Sequence, residues 1–289
     1  MPAQHFISYA QNLEDVLLWR ALRDAVPGPG RYIDIGAADP TALSVTRAFY
    51  DRGWRGLNVE PLPEMAERLR QARPEDIVVQ AAVGAGTGTG AGTRPFHRVL
   101  VQAQTGLSTL EEREAARHAA AGAAIETFDV PVVTLAALCR EHAPEPVHFL
   151  KIDVEGAEAE VLDSADFTRT RPWIVLVEAT MPASNIANES GWEPGLLANG
   201  YRFVWFDGLN RFYLADEHAD LARHFKVQPN VFDNYVQWDG ALRDTLAATE
   251  DLATARLRLI EDLQGEVRRL SDQLAANTRD QPPPATPAP

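Results

Sequence analysis

A chain of 289 residues, 45% hydrophobic and 24% charged, is long enough to bury a large core in one domain with an appendage. Its formal net charge of −14 excludes the basic footprint that general nucleic-acid or anionic-membrane binding requires, so neither partner is expected. No apolar run is long enough for a membrane span, and "MPAQHFISYAQ" lacks the basic start and apolar middle of a secretion signal, so a cytoplasmic protein is expected.

The segment "YAQNLEDVLLWRALRDAV" reads as a helix, with Asn12 and Asp15 spaced as a capping pair, and "PGPG" at 27–30 stops it. An alternation follows: strand 32–36, helix about 43–53, strand 56–60, helix 63–72, strand 77–83. Short apolar strands separated by helices specify parallel pairing through right-handed crossovers, hence an open α/β sheet. The run "GAGTGTGAGTR" at 84–94 has no lysine followed by Ser or Thr after its last glycine, so it reads as a flexible turn and not as a phosphate loop. "VPVVTLAALCREH" gives a short edge and a helix in which Cys139, the single cysteine, reads as a buried thiol. "VHFLKIDVEGAEAEVLDSA" gives a buried strand running into a helix, "WIVLVEAT" a second buried strand, and "YRFVWFDGLNRFYLAD" a hairpin about Asp207-Gly208. A mostly parallel sheet closed by an antiparallel hairpin is the layout of class I methyltransferases, a Rossmann-like fold.

The turn after the first sheet strand, "DIGAAD", departs from a dinucleotide site. The glycine slots of G-x-G-x-x-G hold Gly36, Ala38 and Thr41, and Asp34 and Asp39 flank the turn. Carboxylates there would repel a pyrophosphate by roughly several kcal/mol at low effective dielectric. S-adenosylmethionine has no phosphate and brings an ammonium, a sulfonium and a ribose, so acid at the turn favours it. Glu60 ends the second strand, 26 residues after Asp34, where a carboxylate can accept both ribose hydroxyls. The plainer reading of Asp34 and Glu60 is solvation of two strand ends, which the pairing at one sheet edge makes weaker.

The ordered blocks "FISYAQNLEDVLLWRAL", "YIDIGAADPTALSVTRAFYDRGWRGLNVEP", "GLSTL", "LKIDVEGAEAEVL" and "GYRFVWFDGLNRFYLA" resemble the FkbM family of S-adenosylmethionine-dependent methyltransferases over about residues 5–216. The resemblance implies O-methylation of a hydroxyl, commonly on a sugar of a polysaccharide or natural product. It also implies a cofactor turn at Asp34, Gly36 and Ala38, extended here to Asp39, with the ribose acid at Glu60 and Pro61 and Ala82 beside it. Ala38-Asp39 departs from the Asn-Asp of many relatives. The fourth-strand motif falls on Lys151, Asp153, Glu155 and Gly156.

In-line displacement at carbon needs donor and acceptor aligned and the hydroxyl proton removed. Asp153 and Glu155 stand two apart at one strand end and Glu178 ends the next strand, so three acids are expected at one edge, with Lys151 offsetting charge or orienting the acceptor. Glu158 reads as a helix-dipole acid. His97 and His148 read as structural, Tyr9, Trp54 and Trp205 as core, and "QTGLSTL" at 104–110 as a loop with a helix cap at Ser108 or Thr109. A divalent metal on Asp153 and Glu178 is chemically admissible, but no spacing demands one and none is assigned.

From Leu242, slots four and three apart read Leu242, Leu246, Thr249, Ala253, Arg256, Ile260, Leu263, Val267, Leu270 and Leu274, eight of ten apolar. The expected organisation is a methyltransferase-like domain over 1–235, a coiled-coil helix over 236–276 that makes a homo-oligomer, and a disordered Pro-rich tail over 277–289. Two other readings are an NAD(P)-dependent oxidoreductase of Rossmann type and a non-catalytic assembly module built on the coiled coil.

Overall fold

The computed structural model describes residues 5–85, 92–100, 107–142, 146–182, 184 and 186–279. Most of the glycine-rich turn, the start of "QTGLSTL" and most of the Pro-rich tail therefore lie outside the described residues. The chain divides into two compact units, 1–238 and 239–289.

In the first unit the strands are β1 (Phe6–Ser8), β2 (Arg31–Ile35), β3 (Arg55–Val59), β4 (Ile77–Val79), β5 (Ala82–Val83), β6 (Gly92–Leu100), β7 (Ala124–Val133), β8 (Phe149–Ile152), β9 (Ile174–Glu178), β10 (Tyr201–Phe206), β11 (Asn210–Ala215) and β12 (Tyr235–Gln237). The α-helices are α1 (Glu14–Leu22), α2 (Arg47–Tyr50), α3 (Pro63–Ala72), α4 (Glu112–Ala120), α5 (Leu135–His142), α6 (Glu158–Asp163) and α7 (Glu193–Ala198). A seven-stranded sheet runs β10-β11-β9-β8-β2-β3-β4; β11 is antiparallel to both neighbours and the other pairs are parallel. The chain leaves β2 toward β3 and β4 on one side and returns to β8 and β9 on the other. The order therefore reverses between β2 and β8, and a crevice opens beyond their carboxyl ends, the place where open α/β sheets bind ligands.

Two-sided burial explains the apolar strands. Ile33, Ile35, Leu57, Val59, Leu150, Ile152, Val175 and Val177 face one core, while Tyr32, Phe149, Ile174, Leu176, Phe212 and Leu214 face the other. Alternation along each strand divides these residues between the two layers, so "IVLVE" is buried at every position. Trp54 and Cys139 lie in these cores.

Several local expectations change. The strand expected at 77–83 is two strands: β4 continues the large sheet, and β5 turns away to pair with β7 in a separate sheet ordered β5-β7-β6. The helix expected over 43–53 shortens to α2, because Leu43 takes a left-handed φ of 59° and the loop before it carries buried hydrogen bonds described below. Asn12 and Asp15 do not cap α1. Asp15 instead accepts from the Ser8 hydroxyl and from the Tyr9 and Ala10 amides, and Glu14 accepts from the Asn12 amide. Residues 235–237, expected at the domain end and the start of the long helix, pair with β1.

The second unit holds α8 (Gly240–Arg279), 40 residues long. Among the described residues no helix is long and apolar enough to cross a membrane.

Candidate active site

Backbone contact between two loops builds the crevice. Gly36 has φ +78°, and a Cβ on it would sit 1.8 Å from the Asp153 carbonyl oxygen, so only glycine lets the β2 and β8 ends close on one another. Asp34 and Lys151 are register partners on adjacent strands. The Lys151 ammonium donates to the Gly36 carbonyl at 2.9 Å and lies 3.4 Å from Asp34 Oδ1 and 3.3 Å from Asp153 Oδ2. Burial disfavours its charge, but Asp153 and Asp34 outweigh that cost and hold its pKa above the ordinary lysine value. Lys151 is therefore a permanent cation that fixes both loops.

Glu60 supports the loop that follows β2. Its Oε2 accepts from the Ala38 amide and its Oε1 from the Leu62 amide, each at 2.9 Å. Ala38 holds a left-handed φ of 49°, a conformation this carboxylate stabilises. Burial lifts the Glu60 pKa to about 7 against the pull of those two amides. Asp39 is committed locally: Oδ1 accepts from the Thr41 and Ala42 amides and Oδ2 pairs with Arg68 at 2.6 Å.

The opposite edge is acidic. One carboxylate oxygen from each of Asp153, Glu155 and Glu178 falls within 4.8 Å of the others. Glu155 has a left-handed φ of 55° and is followed by Gly156 at φ 104°, a reversal that returns the chain toward Asp153. Thr109, fully buried, donates from Oγ1 to the Glu155 carbonyl at 2.8 Å and accepts from the Glu111 amide. Burial, and then the neighbouring carboxylates Asp153 and Glu158, push Glu155 well above its usual range. Burial followed by Asp153 and Glu155 does the same to Glu178. Glu158 sits in the first turn of α6, accepts from the Val154 and Gly156 amides, and is raised to about 7 by burial.

One cavity of about 820 Å³ joins these parts, a size suited to a nucleoside-sized ligand. All of the residues expected from sequence line it: Asp34, Gly36, Ala38, Asp39, Glu60, Pro61, Ala82, Lys151, Asp153, Glu155 and Glu178. Sequence reasoning missed the apolar wall, where Phe96 from β6 and Leu110 pack with Leu62, Ala82 and Met65. It also missed Arg73, fully buried, which donates to Thr46 Oγ1 (2.8 Å), Asn58 Oδ1 (3.3 Å), the Pro40 carbonyl (2.6 Å) and Ser44 Oγ (2.6 Å). Thr46 in turn donates to Asp34 Oδ2 at 2.8 Å. Alternating polarity in β3 hinted at this buried polar seam through Asn58, but nothing local marked Arg73. The histidines are structural: His148 Nδ1 accepts from the Arg31 amide between Trp54 and Trp173, and His97 lies in β6 against Thr127. The expected caps also differ, since α4 follows Glu111 with no side-chain cap and Ser108 Oγ accepts from the Val99 amide.

The cavity fits a cationic nucleoside. It offers buried carboxylates at two strand ends, an apolar wall, and after β2 a turn whose acidic flanks oppose a pyrophosphate. Among solved structures, a TehB-like S-adenosylmethionine-dependent methyltransferase from Corynebacterium glutamicum is 8% identical. That match covers 69% of this chain and 87% of the other, with a TM-score of 0.37. An O-methyltransferase from Bacillus cereus in complex with S-adenosylhomocysteine is 15% identical over 74% of this chain and 82% of the other, with a TM-score of 0.36. A search of curated proteins finds no match. The methyltransferase FkbM domain matches residues 34–203, more than half of the sequence and the segment that carries every residue of this cavity except Gln11 and Leu209, and the chain belongs to the FkbM family of S-adenosylmethionine-dependent methyltransferases.

Proposed function

We propose that this methyltransferase places the methyl group on a hydroxyl oxygen, with a sugar of a polysaccharide or natural product as acceptor. The observation that carries the reading is the meeting of two acid sets in one cavity: Glu60 under the β2 loop, and Asp153, Glu155 and Glu178 at the ends of β8 and β9. Glu60 holds the ribose, because each of its oxygens accepts one amide and keeps a lone pair for a hydroxyl. Leu62, Phe96 and Leu110 give the adenine an apolar surface. S-adenosylmethionine, when bound, supplies an electrophilic methyl carbon on a sulfonium. Lys151 holds Asp153 at the cavity edge and Asp34 beneath it. Asp153, Glu155 and Glu178 orient the acceptor hydroxyl and take its proton as the oxygen attacks carbon. Burial and like charge raise Glu155 and Glu178 above the usual carboxylate range.

Calorimetric titration with S-adenosylhomocysteine tests the cofactor half. Glu60→Ala is expected to weaken binding by roughly 1–3 kcal/mol through lost charge-assisted hydrogen bonds. Unchanged affinity would remove Glu60 from the cofactor site.

We further propose that α8 pairs with α8 of a second copy to give a homo-oligomer. The heptad slots Ile260, Leu263, Val267 and Leu270 are each about half exposed, and an apolar seam of that length favours association. Light scattering is expected to give a dimer for the full chain and a monomer for a chain ending at Trp238. Equal, monomeric masses would rule out the pairing.

A further inference from the structure

Three carboxyl groups meet at the ends of β8 and β9, and the cations beside them are already shared. Lys151 is shared among Asp34, Asp153 and the Gly36 carbonyl, and the nearby Arg117 pairs with Glu114 and donates to the Pro182 carbonyl. Glu178 is more than nine-tenths buried, yet its Oε2 has no hydrogen-bond partner. Thr180, two residues on and also more than nine-tenths buried, lines the same cavity with its Oγ1 equally unpartnered. Both oxygens therefore remain able to accept or bind a ligand that enters the cavity.

The spacing identifies the ligand class. Oxygen ligands of Mg²⁺ lie about 2.0–2.1 Å from it, so they stand about 3 Å apart when adjacent and about 4.2 Å apart when opposite, and somewhat farther apart around a larger cation. One oxygen from each of Asp153, Glu155 and Glu178 lies within 4.8 Å of the others, near enough for small side-chain adjustments to bring all three onto one cation. The strained turn at Glu155, held by Thr109, is what brings the third oxygen in. An all-oxygen donor set with no histidine or cysteine selects Mg²⁺ or Mn²⁺ over zinc or copper.

We propose that Asp153, Glu155 and Glu178 bind one divalent cation, Mg²⁺ or Mn²⁺, at the edge of the cavity, through one carboxylate oxygen each. The inference deepens the proposed O-methyl transfer and rests on that reading for its use. Three protein oxygens leave coordination positions for water and for an acceptor hydroxyl, whose proton the cation makes easier to remove.

The test is calorimetric titration of the full chain, freed of metal with EDTA and dialysed, using MnCl₂ and, separately, S-adenosylhomocysteine. One Mn²⁺ site per chain is expected, weakened at least tenfold in Glu178→Gln and in Glu155→Gln, with S-adenosylhomocysteine binding retained in both variants. No Mn²⁺ binding by the wild-type chain, or binding of equal strength in both variants, would overturn the site. Failure of S-adenosylhomocysteine to bind the wild-type chain would instead sink the cofactor assignment, and the Mn²⁺ titration would still decide the metal site by itself.

Discussion

Asp153→Asn is expected to cut turnover by roughly 100-fold or more while leaving the affinity for S-adenosylhomocysteine within about threefold. The two effects separate because of where Asp153 stands. Its Oδ2 lies 3.3 Å from Lys151 and its side chain is about one-third exposed, whereas Glu60 and the apolar wall are the parts of the cavity proposed to hold the cofactor. Asparagine keeps the shape and an oxygen for Lys151 but removes the charge proposed to orient the acceptor and help take its proton. Lys151 keeps Asp34 and the Gly36 carbonyl, so the two loops stay closed in the variant. Release of S-adenosylhomocysteine across a panel of hydroxylated sugars gives the wild-type rate against which the variant is compared. Turnover within twofold of wild type would take Asp153 out of the reaction. A loss of cofactor affinity as large as the loss of rate would move it to the cofactor site.

The site was legible where its residues sit at strand ends and illegible where it depends on distant partners. Glu60, Asp153 and Glu178 each close or follow a short apolar strand and Asp34 stands one residue before the end of another, and parallel pairing carries all such ends to one sheet edge, so position along the chain sets position in space. Helix α3 was equally plain, with Pro63 at its first turn and an amphipathic run after it. The small sheet was not. Ala82 and Val83 look like the end of the β4 strand, and only their pairing with Val132 and Val133, some 50 residues later, takes them out of the large sheet. That detour places Phe96 and Leu110 against Leu62 and so makes the apolar wall, a contact that no local period encodes. The first turn of α1 failed for the same reason: Asp15 serves amides before the helix because β1 packs there, and an exposed helix start would have offered no such partners. The spacing in the sequence places Glu155 beside Asp153 on an extended strand end, whereas its backbone is left-handed at φ 55° and its carboxylate joins those of Asp153 and Glu178.

Arg73→Leu should destabilise the 238-residue unit by roughly 3–5 kcal/mol, because burying the remaining acceptors without a donor costs more than a lost exposed pair. Arg73 is fully buried and its guanidinium donates to the Pro40 carbonyl, Ser44, Thr46 and Asn58. Leucine fills much of the volume but leaves those oxygens facing an apolar side chain, and the loop over 40–46 loses its anchor to β3. At about 2–4 °C per kcal/mol for a unit of this size, the melting temperature falls by about 6–20 °C. The defect reaches the site through Thr46, which donates to Asp34 and positions it for Lys151. The fraction that folds is therefore expected to bind S-adenosylhomocysteine more weakly, although Arg73 is absent from the cavity lining. Arg73→Lys keeps the charge but cannot span the same four acceptors with a planar fork, so it should recover only part of the stability. A melting temperature for Arg73→Leu within about 2 °C of wild type would show that the loop holds itself. Full stability in Arg73→Lys would mean that the charge alone matters and that the fork geometry does not.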